Sequence, residues 1–162
     1  MNAGASIATG DIFLFLHADT YLSQGGCSQI RDALTKNTKV SRGCFRQTIE
    51  KKRIIYRLIE RGNSFRASKM KLPYGDQGLF FRQQYFEQIG RFPQVVFLED
   101  YILARKLRRE DSPIMLLDGP LHVSARRWEK YGPMRQTIRN WWICFAHRCG
   151  SSPAVLEKSY PR

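Results

Sequence analysis

His17 and Asp19 follow the apolar run DIFLFL and could act as ligands for a cation. Residues two apart in an extended strand project to the same side, so both side chains could face one space. A carboxylate beside an imidazole can hold a divalent cation, and a cation there can bridge a diphosphate. The plainer interpretation, which this motif alone favours, is that His17 ends the strand while Asp19 and Thr20 begin a turn.

A pair of carboxylates, Glu99 and Asp100, stands near the start of the segment FLEDYILARKLRR. Acids are commonly found at the start of a helix, because the helix dipole stabilises them there. Neither acid has a basic residue three or four positions later, so local helix ion pairs do not explain the pair. A carboxylate held at a helix start above a cleft can accept a proton from a hydroxyl.

Two further segments carry polar groups that suit a ligand. PYGDQGLFFR contains a small flexible turn that could present Asp76 and Gln77 to a ligand, or could be only a turn. In SARRWEKYG, an arginine pair can bind phosphate oxygens and the next residue can stack on a ring or cover the core. These three residues are Arg126, Arg127 and Trp128. An exposed basic turn is an equally good interpretation of that segment.

Strands and helices are predicted to alternate along the chain, which indicates an α/β sheet flanked by helices. The strands are predicted at 11–16, 40–49, 76–81, 113–118 and 121–125, and the helices at 2–9, 26–35, 51–68, 82–89, 98–110 and 133–149. The first strand has no polar alternation, which is typical of a strand buried on both faces in a parallel sheet. Ligands bind beyond the carboxyl ends of such strands, where His17 and Asp19 lie. We expect one domain over 1–150 and a loose tail over 151–162.

Composition and charge narrow the class of protein. The chain has 162 residues with a formal net charge of +13, which favours anionic partners such as nucleotides, phosphorylated sugars, anionic lipids or nucleic acid. No apolar run approaches the roughly 20 residues needed to cross a bilayer, and the first residues lack the pattern of a signal peptide. Four scattered cysteines predict free thiols, hence a cytoplasmic protein, in solution or peripheral to the inner face of the membrane.

The motifs, taken in order, resemble those of a family 2 glycosyltransferase. MNAGASIATGDIFLFLHADT resembles the segment that leads into the metal-binding DxD-type motif of that family, and GDQGLFFRQQYFEQIGRFP its acceptor-side strand and helix. FLEDYILARKLRR resembles the ED motif that supplies the base, and SARRWEKYG the arginine–tryptophan segment near the end of the catalytic domain. The likeness covers about 1–150 and is strongest to the bacterial arsenosugar-biosynthesis, or radical-SAM/selenodomain-associated, transferases.

The resemblance implies a fold and a mechanism. The fold would be a Rossmann-like mixed sheet of the nucleotide-diphospho-sugar transferase type. Asp19 with His17 would hold Mg²⁺ or Mn²⁺ against the diphosphate of a nucleotide-sugar donor, while Asp100 deprotonates the acceptor hydroxyl for an inverting attack and Glu99 orients that region. Asp76 and Gln77 would line the acceptor pocket. Arg126, Arg127 and Trp128 would contact phosphate or close the site.

This assignment depends on one expectation, that the tip of the first strand and the start of the LEDYIL helix face a common crevice. The sequence departs from the family pattern in two respects. His17 stands where an aspartate is usual, which could shift metal preference from Mg²⁺ toward Mn²⁺. The first strand of the family and the next βα unit, which hold the base and ribose, would precede Met1, so we expect weak activity from these residues alone. We also expect an exposed sheet edge that invites self-association.

Two other functions compete with sugar transfer. A non-catalytic basic remnant could bind an anionic membrane or partner through the predicted 133–149 helix. That helix has an apolar stripe flanked by arginines, although we expect it to pack on the sheet. The stripe contains Met134, Ile138, Trp141, Trp142 and Phe145, and the arginines are Arg135, Arg139 and Arg148. Nucleic-acid binding would use the net charge, but no helix-turn-helix, zinc-finger or RNP-like signature accompanies it.

Overall fold

The computed structural model describes residues 1–160 and has a mixed α/β fold, as the sequence predicts. The strands are β1 (Ile12–Phe15), β2 (Thr20–Leu22), β3 (Arg42–Ile49), β4 (Leu79–Arg82) and β5 (Met115–Val123). The helices are α1 (Asn2–Ile7), α2 (Gly26–Lys36), α3 (Ile54–Ser68), α4 (Gln83–Gln88), α5 (Glu99–Arg109), α6 (Arg126–Tyr131), α7 (Pro133–Arg148) and α8 (Pro153–Ser159). A single 3₁₀ turn, Gly75–Gln77, precedes β4.

The five strands form one mixed sheet in the order β1-β4-β3-β5-β2. Only β3 and β5 run parallel, and the other neighbours are antiparallel. The prediction that β1 belongs to a parallel arrangement is therefore wrong, since β1 is an edge strand paired antiparallel with β4. An unbroken apolar run indicates that both faces of a strand are covered by helices. It does not indicate whether the neighbouring strand runs parallel or antiparallel.

The core lies on both faces of the sheet. On one face, Phe13 and Phe15 of β1 meet aromatic rings from β4 and the α4 region, with ring centroids as close as 4.9 Å. Helix α5 packs Leu103 and Leu107 into the same cluster. On the other face, α2 packs against Phe45 and Phe80, beside the half-buried Ile12 and Leu14 of β1. Helices on opposite faces thus hold the strand ends that carry the predicted site.

Three local predictions differ from the structure. The strands predicted at 113–118 and 121–125 form one strand, β5, whose pairing with β3 shifts register between Phe45 and Gln47 without a turn. The tail after residue 150, predicted to be loose, forms α8, which buries Leu156 against Ile143 and Ala146 of α7. The apolar stripe of α7, expected to pack on the sheet, is only partly covered by the protein, because its five large apolar side chains are exposed.

Candidate functional site

His17 and Asp19 lie in a turn between β1 and β2. The backbone amide and the hydroxyl of Thr20 both donate to the carbonyl of His17, at 3.1 and 2.9 Å. The strand geometry that would aim both side chains the same way ends at Phe15, so the turn interpretation holds for the backbone. Both side chains are exposed. The turn thus presents two potential ligands to solvent at the carboxyl end of β1.

His17 converges with Asp100 on the backbone of Gly75. A β-carbon on Gly75 would lie 2.3 Å from Nε2 of His17 and 3.0 Å from Oδ2 of Asp100. The turn after β1, the 3₁₀ turn before β4 and the first turn of α5 therefore meet at one point. Space and not backbone conformation favours glycine there, because its φ lies outside the left-handed region but a side chain would displace the imidazole.

Two backbone amides hold the carboxylate of Asp100. Its Oδ2 accepts from the amide of Gly75 at 2.5 Å, and its Oδ1 accepts from the amide of Tyr101 at 2.7 Å. A carboxylate oxygen has two lone pairs, so each oxygen keeps one for a further donor such as a hydroxyl. Glu99 lies half-buried beside it in the first turn of α5. The arrangement fixes the orientation of Asp100 and leaves it able to accept a proton.

Asp76 and Gln77 follow Gly75, and their polar groups are buried instead of lining an open acceptor pocket. Oδ1 of Asp76 is buried without a hydrogen-bond partner. Burial raises the pKa of Asp76, while the guanidinium of Arg66, the Gln47 side chain and His17 oppose that shift. Gln77 is fully buried, and its Oε1 accepts from the backbone amide of Tyr74 and from Arg66. In this structure Gln77 holds the turn in place, since its side chain faces no solvent.

Arg66, in the last turn of α3, was not among the predicted site residues. Its guanidinium lies 3.3 Å from the ring centroid of Tyr74 and donates to the carbonyl of Leu72 and the side chain of Gln77. A planar guanidinium can stack on a ring and donate in several directions at once, which lysine cannot do. Arg66 therefore supports the 72–77 segment that carries Gly75. The sequence does not distinguish Arg66 from the solvent-exposed basic residues of the same helix.

Helix α7 covers the site from another side. The hydroxyl of Tyr74 contacts Sγ of Cys144 at 3.4 Å, and the hydroxyl of Tyr101 donates to the carbonyl of Cys144 at 3.3 Å. Burial raises the pKa of the Cys144 thiol and of the Tyr74 hydroxyl, so both stay protonated at neutral pH. These groups are positioned as packing and hydrogen-bonding partners of the site.

The predicted phosphate-binding segment begins close to Asp19. The carbonyl of Asp19 accepts from the amide of Ser124 at 3.1 Å, because β2 pairs with the end of β5. Arg126 follows as an exposed residue at the start of α6. Arg127 is exposed but donates to the hydroxyl of Tyr160 at 3.0 Å. Trp128 is buried against Tyr56, so its ring covers the core.

The predicted cation would have few protein ligands. Among residues 1–160, no group of three or more His, Cys, Asp or Glu side chains is arranged to hold a metal ion. Mg²⁺ is often bound through one or two carboxylates with substrate phosphates and water completing its shell. His17 and Asp19 are both exposed on one turn, so they could contribute to a cation site of that kind, in which a diphosphate would supply further ligands.

Comparison with known proteins assigns the chain to no family. No protein-family model matches the chain, and no curated protein matches it significantly.

Proposed function

We propose that this chain is a catalytic part of a glycosyltransferase of the nucleotide-diphospho-sugar transferase fold. It would transfer a sugar from a nucleotide-sugar donor to an acceptor hydroxyl with inversion. One observation carries the proposal: the 16–19 turn brings His17 to Asp100 at Gly75, while the carbonyl of Asp19 binds the amide of Ser124. A candidate base and a candidate phosphate-binding segment thus flank one short turn.

Asp100 is the proposed general base. Its free lone pairs accept the proton of an acceptor hydroxyl, whose oxygen then attacks the anomeric carbon as the bond to the nucleoside diphosphate breaks. The hydrogen bonds from Gly75 and Tyr101 hold the carboxylate in one orientation during this step. Glu99 orients the same region. Asp76 shapes the acceptor side, and Gln77 contributes by holding the 3₁₀ turn.

The donor would lie across the 16–19 turn toward α6. His17 and Asp19 would hold Mg²⁺ or Mn²⁺, which would supply positive charge to offset that of the leaving nucleoside diphosphate. Arg126, exposed at the start of α6, would add a bidentate contact to phosphate oxygens. Arg127 takes part less directly because its guanidinium binds Tyr160.

Thermal unfolding of the purified chain with nucleotide sugars tests donor binding. UDP- and GDP-sugars at about ten times Kd should stabilise the fold by about 1.4 kcal/mol when Mn²⁺ is present. That stabilisation corresponds to a rise in Tm of roughly 3–6 °C for a chain of this size. Asp19→Ala should abolish the Mn²⁺-dependent part, whereas Asp32→Ala, at an exposed position of α2, should retain it. Absence of any Mn²⁺-dependent protection would overturn the proposal.

The release of nucleoside diphosphate tests the base. Slow hydrolysis of the nucleotide sugar, with water as acceptor, is expected from the native chain. Asp100→Asn should lower this rate at least about 100-fold, the range typical of a lost general base. It should keep most of the Mn²⁺-dependent protection, because Asp100 is not a proposed ligand of the donor. Equal rates for Asp100→Asn and Asp32→Asn would exclude Asp100 as the base.

A further inference from the structure

Helix α7 carries an apolar face that the rest of the described chain leaves uncovered. Five large side chains on this helix are between 56% and 66% exposed: Met134, Ile138, Trp141, Trp142 and Phe145. At 3.6 residues per turn they fall within an arc of about 100°. This face, here called the α7 stripe, runs through three turns of the helix. Two adjacent tryptophans at this exposure are unusual on a surface that contacts only water.

The opposite side of α7 is fixed to the protein. Ile143 and Ala146 pack with Leu156 of α8, and the carbonyl of Cys144 accepts from the hydroxyl of Tyr101. Rotating the helix to bury the α7 stripe would break these contacts and those with Tyr74. The stripe is therefore a stable outward surface of the fold.

Cations border the α7 stripe. Arg135 and Arg148 are exposed on either side of it. An open groove of about 870 Å³ between α7 and α8 is lined by Arg135, Arg139 and Lys158 next to Ile138 and Trp142. Arg139 is held there against the ring of Tyr131 and by Gln136. Residues 126–160 contain seven Lys or Arg and two Glu. The surface thus combines an apolar face with a strongly cationic border.

We propose that the α7 stripe binds the surface of an anionic phospholipid membrane. A helix lying in the interface buries its apolar face at the acyl boundary and places its basic residues near the phosphates. Tryptophan is favoured at that depth. In the groove, Arg135 and Lys158 would bind a lipid phosphate, and Trp142 would contact the neighbouring acyl chains. A second copy of this chain is a poorer occupant, because two basic borders would repel each other.

The helix would lie on the membrane surface. No helix in the described part of the chain is long and apolar enough to cross a bilayer. The proposal does not require sugar transfer, since none of the α7 stripe residues belongs to the proposed catalytic site.

Co-sedimentation with vesicles tests the proposal on the whole chain. We expect partition onto phosphatidylcholine vesicles containing 30% phosphatidylglycerol and little onto pure phosphatidylcholine. Raising NaCl from 100 to 500 mM should weaken binding several-fold, because salt screens the attraction between the basic side chains and the anionic lipids. Binding should also shift the emission of Trp141 and Trp142 to the blue and expose them to quenching by brominated lipids.

Variants separate the two contributions. Trp141→Ala with Trp142→Ala should lower partition more than tenfold, and Arg135→Glu with Arg148→Glu by about tenfold. Ile54→Ala on α3 removes an exposed apolar side chain outside the stripe and should leave partition unchanged. All of these side chains are exposed, so circular dichroism and Tm should stay close to those of the native chain.

Four results would overturn the proposal. The first is no preference for anionic vesicles, and the second is undiminished partition of the double tryptophan variant. The third is a concentration-dependent dimer in sedimentation equilibrium that the double tryptophan variant abolishes, together with no binding to vesicles. That result would assign the stripe to self-association. Displacement by 10 mM inorganic phosphate without any vesicle dependence would assign the groove to a soluble anion and would also overturn it.

Discussion

The carboxylate of Asp100 accepts a hydrogen bond from the backbone amide of Gly75, which lies 25 residues earlier in the chain. This contact joins the first turn of α5 to the 3₁₀ turn before β4. It also brings the candidate base beside His17, whose Nε2 lies within 2.3 Å of the place a Gly75 β-carbon would take. The geometry of the site therefore depends on Gly75 having no side chain.

Gly75→Ala should disturb the site with a modest cost in stability. The added methyl would overlap the imidazole of His17 and press on Oδ2 of Asp100. His17 is exposed and can rotate away, so we expect a loss of about 1 kcal/mol in the free energy of unfolding, at the low end for overpacking. The affinity for nucleotide sugars in the presence of Mn²⁺ should fall at least fivefold. Chemical denaturation and ligand titration measure the two effects.

A double-mutant cycle identifies the clash. In the His17→Ala background, Gly75→Ala should cost at least 0.5 kcal/mol less than in the native chain, because the nearest atom has been removed. Gly62→Ala on α3 is the matched control, since no heavy atom lies within 4 Å of its added methyl, and it should stabilise the helix by up to about 1 kcal/mol. Strict additivity of the Gly75 and His17 substitutions would contradict the geometry described.

Much of the fold can be predicted because it rests on local patterns. The apolar period of 98–110 predicts a helix, and α5 spans Glu99–Arg109. β2 has only three residues and no apolar run, so its pairing with β5 could not be predicted. The order of strands is also unpredictable from such patterns, because pairing depends on contacts between distant segments. The antiparallel edge position of β1 is the clearest case.

The sequence predicts that two candidate residues lie near one another, but it does not predict the groups that support them. The sequence predicts that the tip of the first strand and the start of α5 face one another, and His17 and Asp100 do meet at Gly75. Arg66 could not be chosen from a helix with several basic residues, because its role comes from the ring of Tyr74 beyond the helix end. Gln77 looks like a ligand in sequence, but its burial is set by Arg66 and the turn.

Arg66→Lys should weaken the 72–77 segment although it keeps the charge. Lysine cannot stack flat on Tyr74 or reach Leu72 and Gln77 together, so buried acceptors lose their donors. We expect a loss of about 2 kcal/mol in the free energy of unfolding. Hydrogen exchange at the amides of Gly75 and Gln77 should also become faster. Arg61→Lys, exposed on the same helix, should change neither quantity, and equal effects of the two substitutions would contradict the role of Arg66.

Asp76→Asn should stabilise the chain at pH 7 and lose this advantage in acid. Burial raises the pKa of Asp76 above its ordinary value of 3.8, so the folded state binds its proton more tightly than the unfolded state does. Stability contributed by this group is therefore full below pH 3.8 and declines as pH rises through the folded pKa. Asparagine avoids that decline. Tm measured for both proteins from pH 3 to 7 should show a gap that opens with rising pH.

The pH series for Asp76 has a control and a clear contrary outcome. Asp32→Asn, at an exposed position of α2, should leave the gap from the native chain constant across the series. If Asp76→Asn instead lowers Tm at pH 7, the favourable field of Arg66 outweighs burial. The ionised carboxylate would then be a stabilising partner of Arg66.

The four thiols should react in a fixed order with iodoacetamide at pH 8. Cys27 and Cys149 are exposed, Cys144 is half-buried with its pKa raised by burial, and Cys44 is fully buried with its pKa raised to about 12. Only the thiolate is nucleophilic, and the raised pKa keeps Cys44 in its thiol form at pH 8. Mass spectrometry after a short pulse should show Cys27 and Cys149 labelled first, Cys144 later and Cys44 only in denaturant. Cys27→Ser with Cys149→Ser should remove the fast phase, and early labelling of Cys44 would contradict its place on β3 with its side chain in the core.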